Sequence, residues 1–179
     1  MEERKLSREY IAESAIELIS KYPVDQVTVT QIAKNCKTST RTFYNYFQDK
    51  YDLYLWIYTH YLVEYFDDPP EHVGFRSFLM FCGNTLYRHK DFFIHLFKYQ
   101  GQNNFQDALV QPLVEYHKLI IEEYFGDSVS EYDEIVLEFF LFGVMEYVAR
   151  SFRSGNPQDV PSAVDVFIAA LPERFLKYE

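Results

Sequence analysis

The chain has 179 residues, enough for one sizeable domain or a small domain fused to a medium one, and a net charge of −10. That charge taken alone argues against nucleic acid, but it is unevenly spread: residues 1–60 carry eight Lys/Arg and eight Asp/Glu, and residues 61–179 carry nine against nineteen. Two distant cysteines without CxxC or Cys/His spacing suggest neither a zinc site nor a disulfide framework, the charged N-terminus lacks the apolar core of a signal peptide, no apolar run nears the roughly 20 residues of a membrane helix, and the expectation is a cytoplasmic protein with reduced thiols.

Glycine is scarce, six in all, and amphipathic stretches are separated by short polar or Pro-marked breaks, which is an all-helical plan. A first helix is expected at 7–21, with Ile11, Ala15, Leu18, Ile19 and Tyr22 on one face and Pro23 ending it. Thr28 and Gln31 have capping-box spacing and open a short helix, 28–35, with Val29, Ile32 and Ala33 on its inner side. Asn35-Cys36-Lys37 breaks the pattern. Ser39 restarts it as the N-cap of a helix at 39–46, which turns Phe43 and Phe47 inward and Thr40, Arg41, Thr42, Tyr44 and Asn45 outward. Asp49 caps a long fourth helix, 49–66, shared by a head at 1–50 and a body at 51–179, so the boundary falls inside it without a flexible linker. The body reads as helices at 74–88, 91–99, 103–125, 130–154 and 159–177. Pro112 predicts a kink or break, and Gly126-Asp127 and Gly155-Asn156-Pro157 have the chemistry of helix ends.

Within residues 28–50, Lys34, Lys37, Arg41 and Lys50 face only Asp49, a basic island of +3 on a neutral head. Two short helices joined by a tight turn form a device for presenting the second to a DNA major groove. Thr28, Ile32, Ala33, Ser39, Thr42, Phe43, Tyr44, Phe47, Lys50 and Leu53 together resemble the N-terminal pattern of the TetR family of transcriptional regulators. The longer string RTFYNYFQDKYDLYLWIY is similar to a subgroup resembling regulators of dihydroxyacetone kinase operons. One departure is Lys37, which stands where the family usually has Gly.

The resemblance implies roles. Thr40, Arg41, Asn45 and Tyr46 hold positions that reach base edges, and Arg suits guanine and Asn adenine through bidentate pairs. Thr42, Tyr44 and Lys50, with Thr28 at a helix start, hold positions that contact phosphate, and Thr30 stands where other members place a longer base-reading side chain. The implied function is a sequence-specific regulator, a ligand-responsive repressor acting as a homodimer on a pseudo-palindromic duplex DNA operator. The alternatives are an activator, or a regulator controlled by a protein partner instead of a small-molecule effector. A small helical enzyme is the reading from another class. It has no support: there is no HExxH, Gly-x-Ser-x-Gly, P-loop or GxGxxG, the five histidines are dispersed, and no catalytic residue, metal or cofactor is expected.

Aromatic residues make up 19% of the chain, more ring surface than an ordinary core needs. They fill the core and an interface, or they wall a ligand pocket between helices. For the pocket, helical spacing selects Tyr61, Tyr65, Phe78, Cys82, Tyr87, Phe97 and Tyr116. For a dimer, Ile135, Phe139, Phe142, Gly143 and Glu146 recur at three- and four-residue spacing, and Val164, Phe167, Ile168 and Leu171 do so on the last helix. The competing reading is that both stripes close the chain's own core. Pairing of the C-terminal helices as a four-helix interface is what the resemblance implies.

Overall fold

In a computed structural model, residues 8–101 and 105–179 are described, and the expected helix starts at 7 and 103 lie outside them. Among the described residues the chain is helical and carries no strand. The α-helices among these residues are α1 (Arg8–Ile19), α2 (Val29–Asn35), α3 (Thr40–Tyr44), α4 (Lys50–Asp67), α5 (Phe75–Arg88), α6 (Lys90–Lys98), α7 (Phe105–Leu119), α8 (Glu131–Arg153) and α9 (Val160–Ala169). None of these helices is long and apolar enough to cross a membrane.

The head is built by its caps. At α2 the Thr28 hydroxyl accepts from the Gln31 N–H at 3.2 Å, and the Gln31 carboxamide oxygen accepts from the Thr28 N–H at 2.8 Å, so two otherwise orphaned donors are satisfied. The helix ends in a Schellman motif: Thr38 N–H donates to the Ala33 carbonyl and Lys37 N–H to the Lys34 carbonyl. Lys37 is the left-handed residue of that motif, with φ of 54°, a conformation costing a side chain about 1 kcal/mol relative to glycine. The Gly-to-Lys departure therefore leaves the turn in place. Ser39 then caps α3 through the Thr42 N–H at 3.1 Å. From α1, Ser14 donates to the Ile32 carbonyl at 2.9 Å, and Ile11, Ala15, Ile19, Ile32, Phe43 and Phe47 close a small core. Leu18 is only half-buried, and Tyr22 is exposed because α1 stops at Ile19, before the turn that would have carried Tyr22 inward.

The α4 helix leaves the head and enters the body without interruption. Asp49 caps it through the N–H groups of Tyr51 and Asp52, and Leu53, Tyr54, Ile57, Tyr58, Leu62 and Tyr65 are buried along its length. The body packs α8 along α6 and α7, and α5 against α9. Two expectations need correction. The α7 helix runs through Pro112 without a break: proline's fixed φ suits a helix, one hydrogen bond is lost, and Leu109, Val110, Leu113 and Val114 hold both flanks in the core. The irregular stretch comes later, as a wide π turn at Ile120–Tyr124 that ends at Gly126, with φ of 70°. The last helix does not reach 177. It stops at Ala169, because Pro172 disfavours helix in the residue before it, and the chain finishes as a 3-10 segment, Glu173–Tyr178.

His117 on α7 is fully buried between the rings of Phe75 (4.6 Å) and Phe78 (5.2 Å). Its Nδ1 lies 2.7 Å from the Leu113 carbonyl, which only accepts, so Nδ1 carries the proton and Nε2 has no partner among the described residues. Burial holds this imidazole down, to about 4 from 6.5. The unfolded chain therefore takes up a proton near pH 6.5 that the folded chain refuses until about pH 4, and stability falls as pH drops through that window. The His117 share amounts to about 3 kcal/mol below pH 4. In denaturant titrations, His117→Leu should lack this share of the acid loss shown by the native chain, while parallel pH profiles for the two proteins would contradict the assignment.

Candidate nucleic-acid interface

Around α3, Arg41, Tyr44 and Asn45 are exposed, with Thr40, Thr42 and Tyr46 partly so. Lys34 and Lys37 are exposed beside it on α2 and the turn. Lys34, Lys37 and Arg41 are all exposed, and none of them makes an ion pair among the described residues. Their opposite side is anchored: Phe43 is fully buried, edge-on to Tyr44 and tilted on Phe47, which meets Trp56 of α4. A rigid apolar back and a polar, cationic front are what groove reading requires of a short helix. Thr30 is exposed at the start of α2 with a short side chain, and Thr28 has its hydroxyl committed to the cap.

Lys50 is placed differently from its expected role at the phosphates. Its ammonium turns inward, donating to the carbonyls of Val24 (2.7 Å) and Val27 (2.8 Å) in the turn that joins α1 to α2. Partial burial lowers its pKa from 10.5, opposed by the charges of Asp25 and Asp49. With two protons committed to carbonyls, Lys50 braces the head before it can serve as an outward cation. The motif position gave no sign of this, because a solvated and a bracing lysine look alike in sequence.

The ligand candidates do not converge. Tyr65, Phe78 and Tyr116 join Phe66 and His117 in a ring cluster that fills the space between α4, α5 and α7. Tyr65 also reaches, on its hydroxyl side, a wide open groove of about 890 Å3 bounded by Arg76, Phe81 and Glu179. Phe97 is buried against Phe105 and Phe152, and Tyr61 stacks on His89. Of these candidates, Cys82 and Tyr87 line a partly open cavity of about 60 Å3 on the other side of α5, toward α8 and α9. Most rings chosen for their inward spacing pack against one another, and the cavity is lined instead by aliphatic residues of α5, α8 and α9 together with Tyr58, Tyr147, Phe152 and Phe167.

The two helical stripes also part company. On α8, Ile135, Phe139 and Phe142 are exposed, Phe139 at 84%, and Gly143 has open space where a Cβ would stand. Glu146 beside them is exposed but held by Gln106 and Arg153 of its own chain. On α9, in contrast, Val164, Phe167, Ile168 and Leu171 are all buried and close the chain's own core. The exposed residues of α9 are Pro161, Ser162, Asp165, Val166 and Ala169, followed by Ala170 at its cap. Because α9 is apolar on nearly every side, spacing alone does not tell its two faces apart. Tyr132, 63% exposed on the α8 stripe, was not among the expected interface residues.

Two family profiles match: one described as bacterial regulatory proteins, tetR family, over residues 11–57, and one described as transcriptional regulator C-terminal region, over residues 77–170. The chain is similar to the HTH-type dhaKLM operon transcriptional activator DhaS of Lactococcus lactis subsp. lactis (strain IL1403), 26% identical over 97 residues, or 54% of this chain and 52% of that protein. The match thus spans about half the length of that curated relative. In fold the chain is similar to the dihydroxyacetone kinase operon activator DhaS, with TM-score 0.65 and 19% identity over 96% of this chain and 97% of the other. It is also similar to a TetR transcriptional regulator from Rhodococcus sp. RHA1 (TM-score 0.56, 16% identity, 90% and 92% covered). A third likeness is to a tetR-family transcriptional regulator from Streptomyces coelicolor (TM-score 0.58, 17% identity, 96% and 88% covered).

Arg41 and Lys50 should separate cleanly by substitution. Arg41→Ala is expected to leave stability within about 0.5 kcal/mol of the native chain and to remove about 1–3 kcal/mol of discrimination at one base pair per half-site. Lys50→Ala strands two carbonyls and should cost about 1–3 kcal/mol of stability. Melting curves and binding at fixed salt read both effects, and a Lys50→Ala protein of native stability would contradict the bracing role.

Proposed function

The chain belongs to the TetR family of transcriptional regulators, and from that premise we propose that it reads a pseudo-palindromic operator as a homodimer whose affinity for DNA is set by a small ligand in the body. The family is one of DNA-binding regulators, so the enzyme reading is set aside. In this proposal residues to about 50 read DNA, with Arg41, Asn45, Thr40 and Tyr46 toward the bases and Thr42, Tyr44 and Thr28 toward the backbone. The remainder pairs the chains and holds the ligand.

The observation that carries the dimer is the α8 stripe. Tyr132, Ile135, Phe139 and Phe142 leave large apolar side chains in water on one helix face, a contiguous patch of the kind that marks an interface. Beside it, Val136, Phe139, Gly143, Val166 and Ala170 border a groove of about 390 Å3 between α8 and α9. Under two-fold symmetry the same patch meets itself, and the open space at Gly143 admits a partner helix closely. One head with a small basic island neutralises few phosphates. Two heads on one body make the second contact intramolecular and multiply affinity without new chemistry.

The sign of regulation depends on where the operator lies. An operator across a promoter gives the repression expected from the wider family, and one upstream allows activation. Likeness to a protein named as an operon activator favours activation for this chain.

Sedimentation at micromolar concentration should show a dimer and not a single 21.4 kDa chain. Phe139→Asp places a charge at the centre of the stripe and should yield that monomer, with native helicity and operator affinity lowered at least about hundredfold. A native chain that sediments as a monomer, or a Phe139→Asp protein that still pairs, would remove the basis of the proposal.

A further inference from the structure

The acidic charge of the body is not spread evenly along it. Residues 84–110 and 142–160 hold five Lys/Arg and four Asp/Glu, whereas the rest of residues 61–179 hold four and fifteen. Ring contacts place the first group at the end of the body that carries the head. Tyr65 meets Phe78 (5.1 Å) far along α4, and Tyr61, nearer the head, stacks on His89 (4.9 Å), so α5 returns toward the head. The α6 helix then lies across the first turns of α4, with Phe92 on Tyr54 (6.1 Å) and Tyr99 on Tyr51 (5.5 Å). Phe97 in turn meets Phe152 (5.3 Å), which brings the last turn of α8 to the same level.

Ion pairing divides the cations of the body in the same way. At the far end Arg76, Lys118, Arg174 and Lys177 are all engaged by carboxylates. At the head end Arg153 is held by Glu146, but Lys90, Lys98 and Arg150 are exposed and make no ion pair among the described residues. Arg88 lies apart from them, near Tyr61 and Glu64 of α4. The three surround the turn between α8 and α9. The Lys98 ammonium stands 3.9 Å from where a Cβ of Gly155 would be. Arg150 lies over Tyr147 (5.9 Å) and Lys90 over Tyr87 (5.6 Å), and both rings border one opening beside Gln158. Two acids at this end are committed, Glu146 to Gln106 and Arg153, and Asp159 to the Ser162 N–H that it caps. Asp91 and Asp107 stand in the first turns of α6 and α7.

We propose that this end of the body is a second DNA-facing surface, on which Lys90, Lys98 and Arg150 attract the sugar-phosphate backbone of the duplex between the two half-sites. The proposal rests on the dimeric DNA-binding reading above and assigns part of the affinity to the body. Both heads hang from this end, so a duplex that spans them passes beneath it. Arg150 follows Phe142 and Glu146 at four-residue spacing, which sets it at the head end of the exposed α8 stripe. Two-fold pairing through that stripe brings two such arginines together. Like charges gathered in this way repel one another until a polyanion neutralises them, which favours DNA as the occupant. A screening length of about 8 Å at physiological salt lets these cations act on phosphates that they do not touch. The attraction carries no base preference, because phosphates position a duplex without specifying its sequence.

The test compares the native protein with Lys90→Gln/Lys98→Gln/Arg150→Gln on one operator, selected from random duplexes, over a range of salt. A second variant, Lys118→Gln/Arg174→Gln/Lys177→Gln, removes the same charge from the far end. The head-end variant should sediment as a dimer, keep its base preference and lose at least about tenfold in affinity at low salt, with a slope against log salt shallower by about 2 or more. The far-end variant should bind as the native protein does. Uncharged methylphosphonate linkages between the half-sites should weaken the native protein and leave the head-end variant unaffected, the mark of a shared interaction. Equal losses in the two variants would reduce the effect to net charge and overturn the surface. Native affinity in the head-end variant would overturn it as well, and loss of regulation by that variant would then identify an acidic protein as the partner. A monomeric head-end variant would assign Arg150 to the pairing of the chains and overturn its DNA role. Failure of the native protein to bind any duplex in a sequence-dependent way would instead strike the regulator reading itself.

Discussion

A single ammonium group fixes how the two halves of this molecule sit together. Lys50 opens α4 and donates to the carbonyls of Val24 and Val27, so the first turn of the longest shared element is tied to the loop between α1 and α2. Asp49, one residue earlier, caps the same turn. Two further contacts reinforce the junction: Tyr51 donates to the Tyr99 hydroxyl at 2.8 Å, and the His95 imidazole meets the Tyr22 carbonyl at 2.7 Å. The recognition surface is thereby carried by a stiff helix and not by a linker. Any displacement of α4 in the body must reappear as a displacement of α3.

That constraint gives the aromatic body its purpose. The rings of Tyr65, Phe66, Phe78 and Tyr116, with His117 among them, pack α4 against α5 and α7 and leave no room there for a guest. A cavity lies on the far side of α5, where Gly83 meets Val160 so closely that an added Cβ would lie 2.6 Å from a methyl carbon. That cavity and the groove between α8 and α9 share a wall, Val144 and Tyr147 of α8 and Phe167 of α9.

Much of this was legible in the amino-acid sequence, and the parts that were not share a cause. Caps are written locally, so Thr28 with Gln31, Ser39 and Asp49 located three helix starts to within one residue. Exposed apolar spacing was equally clear on α8, where polar residues separate the two faces. It failed on α9 because residues 163–170 contain only Asp165 as a polar marker, leaving the inward and outward faces indistinguishable. Proline misled in both directions. Pro112 did not break the helix, because buried neighbours on both flanks hold α7 continuous through it, whereas Pro172, passed over in the reading of a continuous last helix, ended that helix early. The cavity was misplaced for a related reason: spacing shows which rings point inward, but not whether they meet another ring or a void.

The central claim is that two heads, held rigidly by α4 on a two-fold body, read two half-sites on one face of a duplex. It is tested by taking an operator selected from random duplexes and inserting five base pairs between its half-sites, which turns one of them to the opposite face. The account predicts that affinity falls at least about hundredfold, to that of a single half-site. Unchanged affinity after the insertion would contradict it.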